Sequence, residues 1–373
     1  MGSVRRSNPG SYEARYRDPQ GRSRSKSFRT KSEARAFLSQ IENSVHVGSW
    51  IDPRRSKVTF SVWAAQERRT WADLRPSTRA RGDSLMRSRI LPEFSDYALG
   101  SITPLHVQAW VNELGAAGLS ASTVHGCYRL LSRVMRAAER SEMIPASPCR
   151  DITLPRPDDK EMHFLDAPAL GRLASQAEPY SLLVYSAGYL GLRWGELAGL
   201  RRARVDLTSG NLEVVEVLTE VGGCLDVGPP KTRASRRRVS IPDFLAEMVT
   251  DHLAARPRDP GAFVFAGRDG APLRRTNFRR RHWQPAVQRA GLPETLRFHD
   301  LRHTCASLLI AQGAHPKEIQ ARLGHSSITT TLDRYGHLFP SLDERLRAGL
   351  DETFRRAAAA SDSTVTALRP RSV

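Results

Sequence analysis

The 373-residue chain is almost without lysine: six lysines stand against 51 arginines. Codon usage in a GC-rich genome accounts for the bias. It also gives weight to each lysine that survives, because arginine has not replaced it there. Cysteine is scarce as well. Cys127, Cys149, Cys224 and Cys305 are scattered and form no CxxC pair. That excludes a disulfide frame, and they read as reduced, mostly buried small side chains. There is no long apolar run, no signal peptide and no internal repeat, so neither a membrane span nor export is expected. The protein reads as cytoplasmic. Acidic charge is in deficit: 39 Asp+Glu against 57 Lys+Arg leave a formal charge of +18. A surface this basic calls for a polyanionic partner, with nucleic acid ahead of an anionic membrane. The length suits two or three domains.

Residues 1–57 hold 13 Lys+Arg against 5 Asp+Glu. Ser11 to Arg17 alternates, with Tyr12, Ala14 and Tyr16 on one face and Glu13, Arg15 and Arg17 on the other, as in a half-buried strand. Asp18-Pro-Gln-Gly21 is turn chemistry. Arg22 to Phe28 returns with Arg22, Arg24 and Lys26 in step, and Val4 to Ser7 offers a third strand. Thr30-Lys-Ser-Glu33 opens a helix as a capping box, with Ala34, Phe37, Leu38 and Ile41 facing inward. Residues 1–50 are therefore expected to form a small three-stranded sheet plus one helix. Such a unit can read a DNA groove through Arg15, Arg17, Arg22, Arg24 and Lys26. The alternative is a solvated basic hairpin with no cognate site.

Gly48 to Lys57 reads as a linker, and residues 57–148 as a helical bundle. Val62, Ala65 and Trp71 mark its first helix. Thr78 to Ile90 marks a second, carrying Arg79, Arg81, Arg87 and Arg89. Thr103-Pro104 starts a third. Ser122 caps a fourth, whose core stripe is Val124, Tyr128, Leu131, Met135 and Ala138. On that last helix Arg129, Arg133, Arg136 and Arg140 recur at i+3 and i+4. They form a solvated face or contact phosphates, and Arg79, Arg81, Arg129 and Arg133 are the candidate DNA contacts. Proline-rich Ile144 to Pro157 is a second linker.

Residues 160–350 read as a helix-dominated mixed α+β domain with a small sheet. Asp166 caps a helix to about Ala177, and Tyr180 to Leu192 is a buried helix. Leu212 to Leu218 and Arg238 to Ile241 look like strands. Pro242 to Ala255, Thr276 to Ala290, His299 to Gln312 and Pro316 to Leu323 look helical. Residues 351–373 form a tail whose end, 357–373, is Ala-rich and then Ser/Thr-rich and reads as disordered.

The chemistry-bearing residues converge on a phosphodiester. Arginine forks match phosphate oxygens, and Arg193 and Arg302 suit the charge that grows on the non-bridging oxygens in the transition state. Tyr335 supplies an oxygen nucleophile that leaves a covalent protein–phosphate bond. Lys231, in Pro229-Pro-Lys231-Thr-Arg-Ala-Ser, is a candidate general acid, because lysine gives up a proton more readily than arginine. It equally reads as one more charge in a basic loop. His299 and His303 stand at i, i+4 but lack the Glu of HExxH, and no other metal ligand stands at a fitting spacing, so no metal is expected. His303 reads as helix packing or as support for the site. His325, after Gly324, reads as a helix cap or a phosphate hydrogen bond.

Five motifs carry a resemblance. They are Gly191-Leu-Arg193-Trp-Gly-Glu196-Leu, Lys231-Thr-Arg-Ala-Ser, His299-Asp-Leu-Arg302-His-Thr, Leu323-Gly-His325-Ser-Ser and Thr331-Leu-Asp-Arg-Tyr335-Gly-His. In this order, with 23 residues from Arg302 to His325 and ten more to Tyr335, they resemble the tyrosine recombinase family, specifically phage-type integrases. The motifs cover roughly residues 160–345, and residues 1–150 match by layout only: an arm-site DNA-binding domain and then a core-binding domain. The resemblance implies that Tyr335 is the nucleophile, assisted by Arg193, Lys231, His299, Arg302 and His325, with Glu196 orienting the first arginine. Leu190 departs from the Thr of many relatives, a matter of packing. Also implied are a homotetramer on double-stranded DNA at core and arm-type attachment sites, and no metal or nucleotide cofactor. A directionality factor or a host DNA-bending protein would be accessory, and the protein would be nucleoid-associated in a prokaryotic host. Leu342, Leu346, Leu350 and Phe354 recur every four residues, as a docking stripe for a neighbouring subunit or as packing on their own domain. The expected activity is site-specific integration of a mobile element, with excision as a further expectation. The alternatives are a recombinase that resolves dimers and a catalytically dead DNA-binding architectural protein.

Overall fold

A computed structural model describes residues 2–46, 50–157, 161–267, 269–339 and 343–366, with side chains over 347–359 in the last of these segments. The chain divides into two compact units, 1–160 and 161–373.

The first unit opens with β1 (Ser3–Asn8), β2 (Ser11–Arg17) and β3 (Ser23–Phe28), an antiparallel sheet in that order, followed by α1 (Lys31–His46). Ala14, Tyr16, Ala34 and Leu38 form its core. The capping box is present: Thr30 Oγ1 accepts from Glu33 N at 3.2 Å, and Glu33 Oε2 accepts from Thr30 N at 3.3 Å. Register decides which basic residues face outward. Ala14 pairs with Lys26 and Tyr16 with Arg24, and directly opposed residues share a face. Arg24 and Lys26 therefore lie on the helix side of the sheet, in step with the core. Arg24 is held by Asp18 at 3.1 Å and Asp52 at 2.7 Å. The Lys26 ammonium stands over the Phe37 ring at 4.9 Å. The expectation that these two face DNA does not fit their placement. Arg15 and Arg17 occupy the open face, and Arg5, opposite Glu13, joins them.

Among the described residues of this unit, α2 (Phe60–Arg68), α3 (Pro76–Leu85), α4 (Leu91–Phe94), α5 (Pro104–Ala116) and α6 (Ala121–Arg140) follow. A wide turn at Met86–Ile90 joins α3 to α4. Phe60, Trp71, Ile90, Phe94, Leu131 and Met135 fill the core. The expected stripe of α6 points inward, but two details differ from the sequence reading. On α2 the buried face is Phe60, Trp63, Ala64 and Glu67, whereas Val62 is half exposed and Ala65 faces out. The large rings of Phe60 and Trp63 outbid the smaller apolar residues for the interior. The residue before α6 is Ser120, not Ser122. The Ile144–Pro157 segment also differs, because it is docked rather than loose. Ile144 and Cys149 are buried, Thr153 exchanges two hydrogen bonds with Gln108, and His125 bonds the Pro155 carbonyl at 2.9 Å.

The second unit packs α7 (Ala167–Ser175), α8 (Ser181–Leu190), α9 (Trp194–Ala198), α10 (Asp243–Ala254), α11 (Arg275–Phe278), α12 (Gln284–Arg289), α13 (Asp300–Ala311), α14 (Pro316–Leu323) and α15 (Ile328–Tyr335) around small sheets. Of the strands β4 (Val205–Asp206), β5 (Asn211–Val214), β6 (Val217–Val221), β7 (Cys224–Gly228) and β8 (Arg237–Ser240), three form one sheet in the order β4-β5-β8. The pair β6-β7 forms a hairpin. The expected strand 212–218 is thus two strands broken at 215–216, and α9, β4, β7 and α15 have no counterpart in the sequence reading. Asp166 caps α7 by accepting from Ala169 N at 2.7 Å. Departing Leu190 is a buried packing residue. A last helix, α16, covers Asp343–Thr366, so residues 357–366 are helical, contrary to the expectation of disorder. Residues 367–373 lie outside the described residues, as do Leu342 and the side chain of Leu346. Leu350 and Phe354 are 70% and 75% exposed, which is against packing on their own domain. No helix is long and apolar enough to cross a membrane among the described residues. Cys127, Cys149 and Cys305 are buried and free, and Cys224 is exposed.

Candidate active site

Gly191 ends α8 with φ +67°. A Cβ there would lie 2.5 Å from Leu323 Cδ2 and 3.0 Å from Cys305 Sγ, so both backbone and space require glycine. The turn delivers two things. Its carbonyl accepts from Arg302 Nη1 at 2.6 Å, and the chain then enters α9 with Arg193 at the N-cap. Arg302 Nη2 donates to the Leu323 carbonyl at the end of α14. Arg302 is only 2% exposed. Burial, then the charge of Arg193, brings its pKa down to about 9, which still leaves it charged at neutral pH. The guanidinium is thereby fixed from behind by two helix-end carbonyls, which carry partial negative charge.

Arg193 is held through Glu196. The buried carboxylate accepts from Arg193 N at 2.9 Å and Nη1 at 3.0 Å, and from both Nη atoms of Arg237 at 3.1 and 2.9 Å. Burial pushes the Glu196 pKa up. The hydrogen bond and charge of Arg237, and then Arg193, more than offset this and hold it below the usual carboxylate range. Arg237 is not among the residues singled out from the sequence. The signal for it is the period of two that carries Arg237, Val239 and Ile241 inward on and after β8, where Arg237 pairs with Val214 and Val239 with Leu212. Arg193 keeps 38% of its side chain exposed, so it can still meet a ligand.

A row of aromatic rings completes the cluster. Tyr335, the last residue of α15, is fully buried, and its hydroxyl lies 2.8 Å from His303 Nδ1. The His325 ring stacks on the Tyr335 ring with centroids 6.5 Å apart, while its Nδ1 bonds Thr331 Oγ1 at 2.9 Å. His299, at the start of α13, stands edge-on to His303 at 5.1 Å. Burial lowers the pKa of all three histidines, to about 4 for His299 and His303 and about 3 for His325. For His299 the next causes are His303 and Arg302, and for His325 they are Arg302 and Arg193. Burial raises the Tyr335 pKa, against which Arg302, Arg334 and Arg193 act. Opposite the nucleophile candidate, then, the structure gathers the charge that favours a phenolate. His303 is a direct neighbour of that oxygen, which no spacing rule indicated.

Lys231 is not brought into this cluster. It is exposed in the segment between β7 and β8. Among the described residues no group of three or more His, Cys, Asp or Glu is placed to hold a metal ion.

In the first unit, three of the basic candidates converge. Arg81, Arg129 and Arg133 line a groove of about 340 Å³ between α3 and α6, floored by Trp71, Gly82 and Gly126. Arg133 stands over the Trp71 ring at 5.0 Å with Glu67 at 3.5 Å. Arg79 is half-buried on α3 and is not among the groove's lining residues, and Arg22 is exposed at the start of the returning strand.

The model of the phage integrase family matches residues 162–341, and that of the phage integrase N-terminal SAM-like domain matches residues 61–115. The integrase of Mycobacterium phage L5 is 30% identical over 341 residues, covering 87% of this chain and 91% of that protein. The structure of the Tn1549 transposon integrase in complex with transposon right end DNA superposes with a TM-score of 0.68 at 21% identity, over 79% of this chain and 99% of that one. A lambda integrase tetramer bound to a Holliday junction gives 0.57 at 22% identity, over 89% and 94%. With its motifs in order, its arginines fixed around a buried tyrosine and relatives along nearly its whole length, the chain belongs to the phage integrase family of tyrosine recombinases, enzymes of site-specific DNA recombination.

Proposed function

We propose that this integrase cleaves and rejoins DNA through a 3′-phosphotyrosine link formed by Tyr335, at attachment sites of a phage or other mobile element. Arg302 and Arg193 hold the two non-bridging oxygens of the scissile phosphate. His299 and His325 hydrogen-bond the same group, and Glu196 keeps Arg193 aimed. The Tyr335 oxygen attacks phosphorus, and the bond to the 5′-oxygen breaks. Lys231 supplies the proton that the leaving oxygen takes, carried to it by the segment between β7 and β8 when DNA is bound. Bond energy is retained in the phosphotyrosine, so a 5′-hydroxyl from a second duplex reverses the step. The observation that carries this reading is the buried Arg302 guanidinium, clamped by the Gly191 and Leu323 carbonyls next to Tyr335.

Residues 57–148, with the groove of Arg81, Arg129 and Arg133, bind the core site, and residues 1–50 bind arm-type sites through Arg5, Arg15 and Arg17. Residues 160–350 form the catalytic domain. The active form is a homotetramer on DNA, supported by the tetrameric lambda relative and by the exposed Leu350 and Phe354. A directionality factor or a DNA-bending protein acts beside it. The extra basic domain favours integration over dimer resolution.

A nicked core site that traps the intermediate tests the reading. Wild type is expected to give a covalent adduct on a denaturing gel and Tyr335→Phe none. An adduct with Tyr335→Phe would reassign the nucleophile, and none with wild type would remove the proposal. Lys231→Ala should lose cleavage of normal DNA and regain it with a 5′-leaving group that needs no proton. No recovery refutes the acid role. Deleting residues 1–57 should spare core cleavage and impair integration, and unaltered integration would refute the arm-binding role.

A further inference from the structure

We infer that His303 is the base that takes the hydroxyl proton of Tyr335 during strand cleavage, an inference that rests on Tyr335 being the nucleophile. The hydroxyl is within 2.8 Å of His303 Nδ1, inside the range that proton transfer requires. The other two histidines are turned to different work. His325 presents its ring face to the Tyr335 ring and bonds Thr331 through Nδ1, and His299 meets His303 edge-on.

The surroundings keep that nitrogen available. Burial disfavours the imidazolium, and Arg334 on α15, Arg297 before α13 and Arg302 on α13 disfavour it further, while Asp300 alone opposes them. Asp300 is itself tied to Arg297 at 2.6 Å. His299 and Tyr335 are the titratable rings in contact, and Phe164 closes the side at 6.3 Å. The ring is therefore neutral at neutral pH, and the base role assigns it the tautomer whose Nδ1 lone pair faces the tyrosine hydroxyl. A DNA phosphate brings negative charge to the arginines beside it. That charge raises the proton affinity of the ring at the stage when a proton must be accepted.

The step balances. As the Tyr335 oxygen bonds to phosphorus, its O–H bond breaks and an Nδ1–H bond forms on His303. The phosphorus–5′-oxygen bond breaks, and that oxygen takes a proton from Lys231. On rejoining, a 5′-hydroxyl bonds to phosphorus and returns its proton to Lys231, the phosphorus–tyrosine bond breaks, and the phenolate recovers its proton from His303.

The test is single-turnover cleavage of the nicked core site across a range of pH, with DNA binding measured in parallel. His303→Asn places an amide oxygen where Nδ1 stood, so it accepts the same hydrogen bond but cannot carry the proton away. It is expected to bind DNA as wild type does and to cleave about 10²-fold more slowly or worse. Its rate should climb with pH as hydroxide substitutes, and added imidazole should restore His303→Ala in part. Cleavage by His303→Asn at the wild-type rate overturns the inference. So does a slowed His303→Ala that ignores imidazole and keeps the wild-type pH dependence. Absence of an adduct with wild type, or its presence with Tyr335→Phe, would instead strike the reading beneath it.

Discussion

Two populations of arginine in one chain share a chemistry and differ in circumstance. In the second unit Arg302 is buried and the Arg237 side chain is only 6% exposed, and protein carbonyls and the Glu196 carboxylate fix their donors before any ligand arrives. In the first unit Arg129 and Arg136 face solvent. Arg133 and Arg68 lean on Trp71, and Arg68 also pairs with half-exposed Asp83. The first arrangement suits a charge that develops for an instant, because nothing has to reorganise when it appears. The second suits a phosphate backbone whose exact path varies, because exposed guanidiniums adjust at little cost. Placement, rather than residue type, separates a guanidinium suited to lowering a barrier from one suited to raising affinity.

The comparison can be broken most severely at the Tyr335 hydroxyl, the proposed nucleophile. Tyr335→Phe should abolish the covalent adduct on trapped substrate while gel-shift affinity for the core site persists; lost affinity would mean that the buried ring is chiefly structural. Arg302→Lys comes next. An ammonium cannot satisfy two carbonyls and still present a fork, so single-turnover cleavage should fall by about 10²–10³-fold. Arg129→Lys should leave cleavage close to wild type, and equal losses in the two variants would erase the distinction. Glu196→Gln leaves Arg237 buried without its counter-charge and should lower unfolding stability in urea by about 3–5 kcal/mol. Asp83→Asn, on the exposed pair, should cost about 1 kcal/mol or less.

The histidines give a smaller, pH-dependent effect. His299, His303 and His325 have folded pKa values of about 4, 4 and 3, below an unfolded value of about 6.5. The unfolded chain binds more protons between these limits, so stability is full above the unfolded value and falls as pH drops from there toward the folded values. Denaturant midpoints measured over that window should fall with acid, and replacing His325 should flatten the slope. A flat profile in wild type would mean that the three rings are solvated. Last and least, Arg81→Ala and Arg129→Ala should each reduce the slope of log affinity against log salt by about 0.9. An unchanged slope would remove that residue from the phosphate contacts.

The elements that local chemistry dictates were legible. Tyr12, Ala14 and Tyr16 alternate because one face is buried, and Thr30 and Glu33 cap because their side chains reach backbone donors three residues away. The residues His299, Arg302, His325 and Tyr335 kept their spacing and meet in space. What escaped depends on register and long-range packing. Arg24 and Lys26 are as basic as Arg15, and only the pairing of β2 with β3 turns them to the helix side. On α2, Val62 and Ala65 lost the interior to Phe60 and Trp63, which period alone does not rank. Arg237 sits in a run of like residues, Arg236-Arg237-Arg238, where composition singles out none, and the sequence reading of His303 as packing or support did not extend to a bond with the tyrosine hydroxyl. Their partners, Glu196 and Tyr335, lie 41 and 32 positions away.

Gly191 makes the order of assembly matter. Its carbonyl can receive Arg302 only once α13 has docked, and its missing side chain leaves room for Leu323 only once α14 has arrived. A polypeptide still emerging from the ribosome has neither, since residues 302 and 323 follow more than a hundred positions later. The clamp on Arg302 therefore comes into being only as the final third of the protein closes over the turn, and a product that stops before residue 323 lacks it.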